Sequence, residues 1–157
     1  VSDAVARNKR AGETIERVVS TTIPEFGLVP DEVAIEYDAV ATSAVFPATD
    51  LPMVGLCVVE RGTPVEIKSA VRRLSSGKRG RLYFRPAQHE SLVEAGGVYC
   101  ITVREGEAVL AMKIVPAVVV EDLLPGWLDG GDGRSDYAQL AWSNLIAPDE
   151  VEEVGSA

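Results

Sequence analysis

The sequence predicts an α/β (α+β) fold in which helices flank a mixed β-sheet. Three features lead there: an amphipathic charged segment at the N-terminus, several short β-branched runs, and a helical segment, PAQHESLVEAGG, set between those runs. A helix that separates strands buries its apolar side on a sheet face, which gives layers rather than a helical bundle or an all-β sandwich.

Each element has its own signal. From Asp3 to Thr22, charged residues separate Val5, Ile15, Val18 and Val19, a helical spacing that Gly12 weakens without breaking. TIPEFGLVPDE carries two prolines and a glycine and ends that helix in a turn. EVAIEY reads as a strand, and DAVATSAVFPATDLP, rich in small residues and prolines, as a loop or irregular edge. The runs MVGLCVV and PVEIKSA, separated by ERGT, are expected to pair as a β-hairpin. RRLSSGKRGR is expected as a flexible basic loop and LYFR as a short strand. In PAQHESLVEAGG, Pro86 in the first turn and Gly96 and Gly97 past the end mark the helix boundaries. VYCITVRE and AVLAMKIVPAVVV form two strands around the turn EGE, or the second ends at Pro116, where a helix would run through AVVVEDLL. GWLDGGDGRSD reads as a glycine-rich loop and YAQLAWSNLI as a short helix. Residues 1–147 are therefore expected as a single domain and 148–157 as an acidic mobile tail.

A chain of 157 residues, 46% hydrophobic and 25% charged, can bury a core without disulfides or a structural metal. Cys57 and Cys100 sit in apolar runs with no CxxC or Cys/His spacing, which points to buried thiols and a reducing cytoplasm. No run approaches the roughly 18 apolar residues of a membrane-spanning helix, and the N-terminus lacks the apolar core of a secretion signal. A soluble cytoplasmic protein is expected.

Charge is unevenly distributed. Residues 1–104 hold 13 Lys/Arg and 13 Asp/Glu, whereas residues 105–157 hold 2 and 11, so the net charge of -9 is C-terminal. Between Glu66 and Glu90 there is no acid, and Lys68, Arg72, Arg73, Lys78, Arg79, Arg81 and Arg85 crowd together. Such a local excess is the electrostatic footprint of a polyanion site. The acidic remainder also suits a protein adapted to a very salty cytoplasm, where single phosphate contacts are screened and many are needed.

Glu66 and Lys68 are two apart on an expected strand and project from one face. An aspartate reaching Glu66 would complete a carboxylate pair for a hard divalent cation, with the Ile67 carbonyl as a further oxygen and the lysine beside it to handle phosphate charge or a water. Two candidates compete: Asp50, where the loop feeds the expected hairpin, and Asp38 in EYDAV. His89, the one histidine, has no nucleophile or acidic partner in sequence and reads as structural; Trp127 and Trp142 read as core or interface anchors.

Together NKRAGETIERVV, ATD, VEIKS and QHESLVEAGGVYCITV, spanning about Asn8 to Val103, resemble the PD-(D/E)xK nuclease superfamily, and within it the archaeal Holliday-junction-resolvase-like branch. The chain also looks similar to small proteins of halophilic archaea and their viruses. The resemblance implies a restriction-endonuclease-like core and a Mg²⁺- or Mn²⁺-dependent DNA endonuclease acting as a homodimer. Position by position, it implies Asp50 and Glu66, with Ile67, as metal ligands and Lys68 as the catalytic lysine. It implies Glu16, or else Glu13, as an assisting helix carboxylate and Gln88 as a residue near the scissile phosphate. Lys9 and Arg10 would join Arg72, Arg73, Lys78, Arg79, Arg81 and Arg85 in holding nucleic acid. One departure stands out: Pro47 is three residues before Asp50, where the family pattern has them adjacent. A nuclease-fold module that binds DNA or a protein partner without cutting is the alternative.

Overall fold

The computed structural model describes residues 3–30, 37–45 and 52–152. The N-terminal helix α1 (Asp3–Thr22) is followed by three short strands, β1 (Phe26–Leu28), β2 (Ala39–Ala41) and β3 (Met53–Gly55). The long strand β4 (Pro64–Val71) leads through β5 (Arg81–Phe84) and α2 (Pro86–Glu94) into the hairpin β6 (Val98–Glu105) and β7 (Ala108–Pro116). The chain closes with α3 (Ala117–Leu123), β8 (Ala138–Ala141), a 3-10 turn at Trp142–Asn144, and α4 (Pro148–Glu152).

Six strands form one mixed sheet in the order β1-β2-β4-β6-β7-β3; β5 and β8 pair separately as an antiparallel ribbon. Parallel pairing of β4 with β6, over Val65↔Val98 to Val71↔Arg104, forms the spine. Its sequence cause is plain in VYCITV, which is buried on both faces, as a central strand covered on two sides must be.

Alternation along the strands divides the core into two layers. On one face Val65, Val98, Cys100, Met112 and Ile114 pack with Ile15, Val19 and Ile23 of the α1 region. On the other, Ala70, Tyr99, Ile101, Val103, Ala111 and Val115 pack with Leu92 of α2, Val120 of α3, Leu82 and Phe84 of β5, and the fully buried Trp142. Glu66 and Lys68, in phase with Ala70, therefore project toward the layer built from α2 and the ribbon.

The mixed sheet flanked by helices is the expected class, and α1, α2, β5, the β6–β7 hairpin and the Pro116-initiated helix fall where the sequence puts them. Five local expectations are corrected. Within TIPEFGLVPDE, expected as a turn, Phe26–Leu28 forms β1 and pairs with β2. Strands β3 and β4 do not form a hairpin: β3 pairs parallel with β7 at the far edge, and β4 lies between β2 and β6. The ERGT turn serves the β2–β4 pair, with Gly62 N–H donating to Ala41 O and Ala41 N–H to Thr63 O. The 39–41 segment, expected as loop or irregular edge, is β2, an inner strand between β1 and β4. YAQLAWSNLI is a strand and a 3-10 turn, because Ala138, Leu140 and Trp142 alternate inward with period two. Residues 148–152 form α4 and bury Val151 in the core, so this part of the expected tail is packed. EVAIEY lies almost wholly outside the described residues.

The basic segment is also more ordered than expected. Arg73 and Arg79 bridge antiparallel, Leu74 N–H donates to Lys78 O at 2.7 Å, and Gly77 takes a positive φ of 83° at the turn. Gly80 lets the returning chain pass against β4; a Cβ there would stand 2.0 Å from Val71 O. Trp142 Nε1 donates to Arg72 O at 2.9 Å, tying the segment to the 3-10 turn.

Candidate active site

Asp38 stands just before β2, opposite the N-terminal part of β4. Asp38 N–H donates to Val65 O at 2.9 Å. Its carboxylate then accepts the Ile67 N–H at 2.7 Å, replacing the next backbone rung with a side chain. A strand residue's N–H and C=O point to the same edge, so the Ile67 carbonyl is directed toward the Asp38 side.

Glu66 projects from the α2-facing side of β4, 5% exposed. Its Oε1 lies 3.4 Å from Lys68 Nζ, whereas Oε2 is buried with no hydrogen-bond donor. Lys68 Nζ also donates to Gln88 Oε1 at 3.1 Å, so a residue of α2 fixes the lysine from above. Asp38, Glu66, Ile67, Lys68 and Gln88 thus meet in one place.

Electrostatics set the site's protonation. Burial, partly offset by Lys68 and reinforced by the neighbouring Asp38 charge, pushes the Glu66 carboxyl up to about 7. Asp38 is also raised, by burial first, with the Ile67 N–H and Lys68 pulling the other way. Each carboxyl raises the cost of charging the other, so the two titrate as a coupled pair. A buried oxygen without a donor beside a second carboxylate is a donor set for a hard cation, and oxygen ligands suit Mg²⁺. Among the described residues, no group of three or more His, Cys, Asp or Glu side chains converges, so the acidic set here is this pair.

The other expected residues fall elsewhere. Asp50 lies outside the described residues, and Asp38 occupies the place beside Glu66. Glu16 is half-buried and Glu13 exposed on α1, the layer on the opposite sheet face from the Glu66 and Lys68 side chains; Lys9 and Arg10 are exposed on that helix too. Arg73, Lys78, Arg79 and Arg81 line a surface pocket with Leu74, Ala141 and Ser143. Arg79 stands over the Trp142 ring at 5.5 Å, while Arg72 pairs with Glu105 at 3.0 Å.

Beside Glu66 lies a pair that local sequence does not connect. Tyr99 is the register partner of Glu66 on β6, and its hydroxyl meets His89 Nδ1 at 2.8 Å with the two rings stacked. Burial and then the Glu66 charge push the Tyr99 hydroxyl well above its ordinary range; burial lowers His89. His89 is a buried structural residue packed on Tyr99 and Phe84, with its Nε2 3.9 Å from Glu121 Oε1. Its signal was the apolar phase of α2, where it shares the inward face with Leu92.

A family model described as a PD-(D/E)XK nuclease superfamily domain matches residues 2–147. No curated protein and no solved structure matches the chain.

Proposed function

The chain belongs to the PD-(D/E)XK nuclease superfamily, and on that premise we propose that it is a Mg²⁺- or Mn²⁺-dependent endonuclease that hydrolyses phosphodiester bonds in DNA. The observation that carries this reading is the junction at β4, where the Asp38 and Glu66 carboxylates adjoin and Lys68 is held between Glu66 and Gln88. Asp38, Glu66 and the Ile67 carbonyl would hold the cation. Bound there, it would supply positive charge to the phosphate and lower the pKa of a water.

The chain's own groups account for the rest. Lys68, tethered on both sides, presents its ammonium where an attacking water or a phosphoryl oxygen gaining charge would lie, and fixed charge in a partly buried site is effective there. Water forms the new P–O bond as the bridging P–O bond breaks, and the leaving oxygen takes a proton. Arg73, Lys78, Arg79 and Arg81 hold the backbone at a distance from the reacting phosphate.

The test is nicking of supercoiled plasmid and cleavage of branched and linear DNA with Mg²⁺ or Mn²⁺. Wild-type protein should cut, Glu66→Gln should be inactive, and Lys68→Ala should lose on the order of 10²- to 10³-fold in kcat. DNA that is bound but uncut with either metal, at low and high salt, would establish the binding module instead.

A further inference from the structure

We infer that the outward face of the β5–β8 ribbon is a platform for single-stranded DNA that leads into the active site, making the preferred substrate one with an unpaired strand next to the cut. The inference rests on the nuclease reading above and names the substrate class of that site.

Strand β5 buries Leu82 and Phe84 completely and turns Arg81 and Tyr83 outward, and Arg85, just past its end, is exposed as well. Alternate residues on a strand are about 6.6 Å apart, close to the spacing of successive nucleotides in an extended single strand. Tyr83 is 57% exposed, an unusual placement for an aromatic ring that the core does not need. The Tyr137 ring lies beside it at 6.0 Å between centroids, tilted by 32°, and Arg81 is steadied by Gln139 of β8 at 3.4 Å.

The ribbon is continuous with both ends of the site. At its start, Arg81 also lines the basic pocket with Arg73, Lys78 and Arg79. In the middle, Tyr83, Arg85, Arg134 and Tyr137 border a groove of about 640 Å³, ample for a nucleobase and its sugar. At its end, Arg85 and Gln88 line the adjoining cavity, and Gln88 is the residue bonded to Lys68. Glu90 and Asp136 on that cavity's wall repel phosphate and leave the arginine side for the backbone.

Arginines beside the exposed Tyr83 ring and the partly exposed Tyr137 suit an unpaired strand. A base outside the helical stack can lie on a tyrosine, whereas duplex DNA offers only groove edges and phosphates to such a surface. Tyr83 and Tyr137 thus select by stacking, and the arginines by charge.

The test uses the Glu66→Gln protein in EDTA, titrated into a fluorescein-labelled oligothymidylate and a blunt hairpin duplex. Tyr83→Ala and Tyr137→Ala should each weaken oligothymidylate binding by roughly 5- to 100-fold, change duplex binding by less than about 2-fold, and melt like the parent; Tyr83→Trp should retain binding. Unchanged oligothymidylate affinity in Tyr83→Ala, equal losses for both probes, or no measurable oligothymidylate binding at low salt would overturn the inference. Tyrosine-dependent binding by a wild-type protein that cuts no DNA would overturn the nuclease reading and leave this one standing. Cleavage indifferent to both tyrosines would do the reverse.

Discussion

At Glu66 the protein holds a carboxyl where water is scarce and a second carboxylate is near, so the uncharged form persists to about pH 7. The folded-state value lies above the ordinary 4.5, so the stability this group contributes is fully present below pH 4.5 and is lost as pH rises through about 7. The difference corresponds to on the order of 3 kcal/mol, and Asp38 acts in the same direction. Urea unfolding in EDTA should show wild-type protein weakening between pH 5 and pH 8, and Glu66→Gln should flatten that slope. Added Mg²⁺ should restore stability above pH 7, because a ligand that binds only the folded state stabilises it. Gln88 accepts a hydrogen bond from Lys68 and is expected to act through it. Gln88→Leu should therefore lower kcat roughly 10-fold with KM unchanged and cost nothing more in a Lys68→Ala background, the signature of a shared interaction.

Among the elements, the basic turn between β4 and β5 depends on close backbone approach. A Cβ at Gly80 would collide with the Val71 carbonyl, which is backbone and cannot swing aside. Gly80→Ala should cost more than about 2 kcal/mol in denaturant unfolding, whereas a substitution at exposed Ser75 should cost little. Long elements were legible in the sequence because their signals are redundant: VYCITV is apolar throughout, and α2 has a proline at one end and two glycines past the other. The hairpin expectation failed because β-branched runs around a glycine turn do not state their partners. Strand β4 gives one edge to β6 over seven pairs and the other to β2, and three-residue β3 pairs with β7 instead. YAQLAWSNLI contained the answer in the alternation of Ala138, Leu140 and Trp142, which its shortness obscured.

For the whole molecule, charge separates function from bulk. A chain of net charge -9 repels DNA except where basic residues gather, as Lys78, Arg79 and Arg81 do, so binding should be local and strongly salt-dependent. Arg79→Ala and Arg81→Ala should each reduce the slope of log affinity against log salt by about 0.7–0.9. Half of the site was legible on the same scale. Glu66, Ile67 and Lys68 are consecutive or alternate on one strand, so local sequence places them together. The aspartate arrives from another strand, and its position depends on the β2–β4 register, which three-residue β2 scarcely advertises. Asp38 was one of two candidates in the sequence; the 2.7 Å bond to the Ile67 N–H puts it at Glu66.

The central claim is that Asp38 and Glu66 jointly hold a divalent cation, and the direct measurement is Mn²⁺ titration followed by electron paramagnetic resonance at pH 8. One site is expected in wild-type protein, lost in Asp38→Asn and in Glu66→Gln and kept in Lys68→Ala. Wild-type Mn²⁺ affinity in Asp38→Asn, with loss in Asp50→Asn, would contradict it.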